Sequence, residues 1–144
     1  KLHMIGKLQT NKVKFAVKLF DYIHSVDSEK LAKKIADEQN KINKNIKIFL
    51  QVNIGDENQK AGINKNELKQ LVSYCKATNL NLIGLMCIPP ANINPEVYFD
   101  EMKNLNKDLG FEELSMGMSS DFLIAAKHES TFIRVGSSIF GQRS

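Results

Sequence analysis

Ser115-Met116-Gly117-Met118-Ser119-Ser120 runs out of an apolar strand and into a helix N-cap, and Arg134-Val135-Gly136-Ser137-Ser138-Ile139-Phe140-Gly141 closes the following strand in a similar way. In both stretches hydrophobic residues give way to small, hydroxyl-bearing ones. The backbone can then expose N–H groups at a strand end, next to where a helix begins. Two such ends in succession suggest strands that run in the same direction and deliver their loops to the same side.

The rest of the chain repeats that arrangement. Apolar runs at Leu2–Gly6, Tyr22–Val26, Ile46–Ile54, Leu82–Ile88, Glu113–Gly117 and Phe132–Gly136 read as strands that are largely continuous in hydrophobicity, as expected of parallel strands covered by helices. Between them the apolar positions follow helical spacing. Val13, Ala16, Val17 and Phe20 form one stripe, and Leu68, Leu71, Val72 and Cys75 another. Leu31, Ile35 and Ile42 mark a further helix; Tyr98, Met102, Leu105 and Leu109 mark one opened by Asn94-Pro95, with proline at the first helical position. The last helix is expected to open at Ser119 or Ser120, with Asp121 favourable to its dipole.

A βαβαβαβαβαβ order fits either a doubly wound sheet or a β/α barrel. No GxGxxG follows any strand, which removes the usual signature of the first. Small or polar residues instead follow nearly every strand, at Gly6-Lys7, Asp27-Ser28, Asn53-Ile54-Gly55, Pro89-Pro90, Ser119-Ser120 and Ser137-Ser138. Arranged around a ring, they converge on one C-terminal face, where barrels hold their ligands. A closed barrel usually takes about 250 residues, 200 at the low end, whereas this chain has 144. The expectation is a (TIM) barrel represented by strands 3–8 and their helices, the C-terminal two-thirds of a single domain. An open sheet of this kind would expose pairing edges and tend to associate.

Composition narrows the function. Net charge is +4 with 42% hydrophobic residues, an ordinary globular balance. The lysines are scattered along solvated helix faces, with no aromatic-interleaved basic patch, so nucleic acid is not the expected partner. Neither a membrane-spanning run nor a signal peptide is present, pointing to a cytoplasmic protein. Cys75 and Cys87 form no CxxC and read as buried thiols. Three histidines without HxH or HExxH give no metal site.

The two serine–glycine ends have the chemistry of an oxyanion cradle. Gly136 lets the backbone come close, its N–H and that of Ser137 can donate, and the hydroxyls of Ser119 and Ser137 add donors without a Walker lysine. Arg134 lies in the apolar run Phe132-Ile133-Arg134-Val135 and needs a partner there. Spacing alone allows either an ion pair with a barrel carboxylate or a role towards a ligand.

Seven segments, in order from end to end, carry a resemblance: His3-Met4-Ile5-Gly6-Lys7-Leu8-Gln9-Thr10-Asn11-Lys12, His24-Ser25-Val26-Asp27-Ser28, Gln51-Val52-Asn53-Ile54, Lys60-Ala61-Gly62, Gly84-Leu85-Met86-Cys87-Ile88-Pro89, Leu114 through Asp121, and Arg134 through Gly141. Together they resemble the pyridoxal phosphate homeostasis proteins, which are similar to the barrel domain of alanine racemase without its second domain. The resemblance implies a usually monomeric barrel that buffers or delivers pyridoxal 5'-phosphate, with no robust catalysis. Carried onto this chain, Ser119, Gly136 and Ser137 would hold the phosphate, Arg134 would face the pyridine nitrogen, and Met86 is a candidate ring contact, although a strand methionine is more often core. His3 and His24 are expected to be satisfied core histidines.

One departure stands out. The family's Schiff-base lysine sits on its first strand in a motif like Ala-Val-Ser-Lys, absent here, so that lysine is expected outside this chain. Lys7, Lys12 and Lys60 are read as solvated or anion-steering lysines near the ligand face. Catalytic residues are expected to be none. The alternatives are a pyridoxal-dependent amino-acid racemase, which would need a tyrosine that Tyr22, Tyr74 and Tyr98 do not match by motif, and an interaction module that binds no cofactor.

Overall fold

The computed structural model describes residues 1–58 and 61–141. Six parallel strands, β1 (His3–Met4), β2 (Tyr22–Val26), β3 (Lys47–Val52), β4 (Asn81–Cys87), β5 (Glu113–Met118) and β6 (Phe132–Arg134), form one sheet in the order β1-β2-β3-β4-β5-β6. That order decides between the two architectures. A doubly wound sheet reverses direction at a switch point, whereas here every strand pairs with the next in sequence, which is the progression of a β/α barrel. The connections are α1 (Val13–Leu19), preceded by a 3-10 turn at Thr10–Lys12, then α2 (Glu29–Lys41), α3 (Lys65–Ala77), α4 (Glu96–Asp108) and α5 (Phe122–Lys127), with a final helical turn α6 (Ser137–Phe140).

Successive side chains of a strand point to opposite faces, and the sheet separates its residues accordingly. Ile23, Ile48, Leu50, Leu85, Cys87, Leu114 and Met116 join the helix stripes, including Val17, Ile35, Leu71 and Met102, in one buried cluster. The alternate positions hold a second set, in which Phe132 packs against the rings of Tyr22, His24 and Phe49 with centroids 5.4–5.8 Å apart and His24 stacks on Phe49 at 4.4 Å. The strands had read as continuously apolar; in fact their inward row carries polar groups, which hydrophobicity alone does not reveal.

Helix ends follow local chemistry. Ser28 Oγ accepts the Leu31 N–H at the start of α2, and Asn43 and Asn79 take left-handed φ values of 50° and 53° just beyond α2 and α3. Several expected boundaries move. α5 begins at Phe122 with Asp121 as its N-cap, not at the serines, because the Asp121 carboxylate accepts the Met118 N–H at 2.6 Å and closes the turn first. Pro95 is the N-cap of α4, and Asn94 Oδ1 accepts the Glu96 N–H. Ile42 lies past the end of α2 and is exposed, so it leaves the apolar stripe. β6 stops at Arg134, since Val135 and Gly136 turn into α6.

Gly117 has φ +94°, and a Cβ there would press on Ala125 and on the Phe122 Cα at 3.0 Å. Only glycine therefore allows β5 to turn sharply under α5 and present Ser119 to the next strand end.

Candidate functional site

The C-terminal ends of β5 and β6 meet at a cavity of about 1140 Å³, lined by His3, His24, Ser119, Arg134, Gly136 and Ser137 among others. Four of the five residues expected to contact a ligand are thus brought together. The fifth, Met86, is fully buried beneath the site and does not line the cavity. Lys7 and Lys12 are exposed and lie outside the lining; Lys60 falls outside the described residues.

The two strand ends are tied through Ser119. Its Oγ accepts the Gly136 N–H at 3.0 Å and the Ser138 N–H at 3.4 Å, while the Ser138 hydroxyl donates to the Ser119 carbonyl at 3.4 Å. Backbone N–H groups from one loop therefore already gather around a single oxygen from the other, which is the geometry an oxyanion requires. No neighbouring atom lies within 4 Å of where a Gly136 Cβ would stand, so the space beside that amide is open. Ser138, to which the sequence reading gave no role, belongs to this cradle, whereas no hydrogen bond of the Ser137 hydroxyl is seen among the described residues.

Arg134 is buried, and its guanidinium divides between two strands. Nη1 donates to Ser115 Oγ at 2.7 Å and Nη2 to the Cys87 carbonyl at 2.8 Å. Its partners are a hydroxyl and a carbonyl instead of the carboxylate that one reading of the sequence allowed. Two of its five N–H groups are used, and the others have no partner among the described residues. Burial lowers its pKa from the usual value, and the neighbouring acidic groups Cys87 and Asp121 oppose that shift.

Behind Arg134 the polar contacts continue. Ser115 Oγ lies 2.8 Å from His24 Nδ1, and His24 Nε2 lies 3.0 Å from His3 Nδ1. Burial, then the neighbouring His3 and Arg134, push the His24 pKa down to about 3. Burial also lowers the His3 pKa. Both histidines are satisfied, as expected, but mostly by one another and by Ser115. Ser115 stood inside a quoted motif without a role. Strand parity was the available signal, because His24, Ser115 and Arg134 all occupy the row opposite the apolar one. Among the described residues there is no group of three or more His, Cys, Asp or Glu able to hold a metal ion, and no helix long and apolar enough to cross a membrane.

The model of the alanine racemase N-terminal domain family matches residues 1–144. The chain is 39% identical to the pyridoxal phosphate homeostasis protein of Aquifex aeolicus, covering 98% of this chain and 66% of that protein. It is 38% identical to that of a Synechocystis species, covering 98% and 69%. This chain belongs to the pyridoxal phosphate homeostasis proteins, within the alanine racemase N-terminal domain family. Among solved structures of this family, PipY of Synechococcus elongatus superposes with a TM-score of 0.88 without PLP and 0.82 with PLP bound, at 34% identity, and matches 96% of this chain and about 70% of PipY. An alanine racemase from Clostridium difficile shares the fold alone, with a TM-score of 0.75 at 13% identity. Against the first two homeostasis proteins matched, the chain spans 66% and 65% of their length.

Proposed function

We propose that this chain binds pyridoxal 5'-phosphate at the β5–β6 end and serves in its homeostasis as a carrier, without robust catalysis. The observation that carries the reading is the convergence of the Gly136 and Ser138 amides on Ser119 Oγ in the same cavity as a buried arginine. A phosphate oxygen in the position of that hydroxyl would receive both amides, and Ser119 and Ser137 could turn their own hydroxyls towards it. The binding of PLP by PipY supports the choice of ligand.

When bound, the cofactor's ring is an electron sink whose strength depends on its nitrogen being protonated. Arg134 has only donors and stays protonated at neutral pH, so it would hold that nitrogen as an acceptor and weaken the sink. His24, with its pKa near 3, is no general base poised near neutrality. Met86 is fully buried and does not line the cavity, so no direct contact with the ring is assigned to it.

The test is equilibrium dialysis of this chain against pyridoxal 5'-phosphate and against unphosphorylated pyridoxal. The phosphorylated form is expected to bind much more tightly, and Ser119→Ala and Ser137→Ala to lower its affinity. Equal uptake of the two forms by wild type would defeat the phosphate assignment. Deuterium exchange at the Cα of alanine at enzyme-like rates would defeat the carrier reading in favour of a racemase-like enzyme.

A further inference from the structure

The protons of the buried chain that ends on Arg134 can be placed by chemistry. A guanidinium only donates, so the 2.7 Å contact from Nη1 uses a lone pair of Ser115 Oγ. Ser115 is fully buried, and its own hydroxyl proton must find an acceptor. Among the described residues the acceptor is His24 Nδ1 at 2.8 Å. His24 then carries its proton on Nε2 and donates it to His3 Nδ1 at 3.0 Å. The opposite tautomer would leave the Ser115 proton buried and unpaired.

We propose that His24 is a positioning residue for Arg134, held as the neutral Nε2–H tautomer so that the Ser115 hydroxyl turns its proton away from the guanidinium. Ring packing keeps the nitrogens from exchanging places. His24 stacks on Phe49 at 4.4 Å and 24°, and His3 on Tyr22 at 4.1 Å and 7°. The tie joins the β1–β2 pair to the β5–β6 pair, and no strand of one pair is hydrogen-bonded in the sheet to a strand of the other. It also runs in one direction, since each group donates to the next from Arg134 to His3, a residue of the cavity wall. Without the imidazole the Ser115 hydroxyl rotates freely, faces the guanidinium with its proton part of the time, and no longer fixes it. Only the consequence for ligand binding rests on the cofactor reading above.

The decisive measurement uses the unliganded chain. Long-range proton–nitrogen correlation of 15N-histidine-labelled protein is expected to show His24 protonated at Nε2 alone, unchanged from pH 8 to pH 5. A proton on Nδ1, or an imidazolium at pH 6, overturns the proposal. The Arg134 Nη signals are expected to be separate and slowly exchanging in wild type and in His24→Asn, whose amide oxygen can replace Nδ1 as acceptor, and averaged in His24→Phe and Ser115→Ala. Unchanged Arg134 signals in His24→Phe also overturn it, and if that variant does not fold, the wild-type tautomer decides. For the cofactor, His24→Phe is expected to weaken pyridoxal 5'-phosphate by about tenfold, as for one charge-assisted hydrogen bond, with no further loss on adding Ser115→Ala. Additive losses would overturn the shared-path argument. A wild-type chain that takes up no pyridoxal 5'-phosphate would sink the cofactor reading alone, because the nitrogen signals are read without ligand.

Discussion

Replacing Arg134 by lysine keeps the charge and removes the fork. In the native chain the two terminal nitrogens reach Ser115 Oγ at 2.7 Å and the Cys87 carbonyl at 2.8 Å simultaneously, tying β6 to both β5 and β4. A lysine side chain is shorter and lacks the two divergent nitrogens of the fork, so it is expected to reach only one of these acceptors; one hydrogen bond from a charged donor is then lost, worth about 1.5–3 kcal/mol. For a chain of this size each kcal/mol moves the melting temperature by roughly 3 °C, so Arg134→Lys is expected to melt about 5–10 °C below wild type. Arg134→Met loses both contacts but also the burial of a charge, and is expected to melt no lower than the lysine variant. Binding should rank differently: under the cofactor proposal lysine weakens pyridoxal 5'-phosphate roughly tenfold to a hundredfold and methionine by more, since each 1.4 kcal/mol is tenfold. Circular dichroism melts paired with equilibrium dialysis read both effects. A lysine variant that melts and binds like wild type would show that the fork carries neither stability nor affinity.

Gly84→Ala places a Cβ on the Glu113 carbonyl oxygen of the paired strand and 3.2 Å from Phe49, with no flexible atom to yield; a loss of about 3 kcal/mol or more is expected in urea unfolding, and a variant within 0.5 kcal/mol of wild type would contradict the β4–β5 packing. Because His24 is held near 3 when folded but takes a proton near 6.5 when unfolded, the unfolded state binds more protons between those values; stability should therefore fall as pH drops from 6.5 towards 3. Glu38, held near 2 by Lys34 and Lys41 against a usual 4.5, adds to the loss below pH 4.5. His24→Phe should flatten the upper part of this dependence, and urea midpoints at pH 7, 6, 5 and 4 check it. Burial pushes the Cys75 and Cys87 thiols up to about 12, so neither is expected to react with a thiol reagent until urea unfolds the chain; labelling of the native protein within minutes would contradict their burial.

Reading the strands from apolar runs worked where both flanks were polar, as at Tyr22–Val26, whose limits agree with β2. It overran at the sheet ends. β1 has only two residues and β6 three, because Ile5 and Val135, though apolar, sit where the backbone leaves the ladder. The cradle at Ser119 and Gly136 was readable because a turn next to a strand end is a local property of a few consecutive residues. The chain from Arg134 to His3 was not. It joins His24 to Ser115 across 91 positions and depends on which face each side chain takes, which a run of uninterrupted hydrophobicity conceals.

Neighbour-to-neighbour strand order has a consequence for how the molecule is made. Each pairing closes a loop no longer than one helix and its turns, so a nascent chain emerging from the ribosome can add its layers one at a time. The contacts that define the cavity follow another schedule: the guanidinium arrives on β6 and can be seated only once β4 and β5, which carry its partners, are in place. Before β6 is added, the strands already paired hold most of the sheet without the buried cation that lines the cavity.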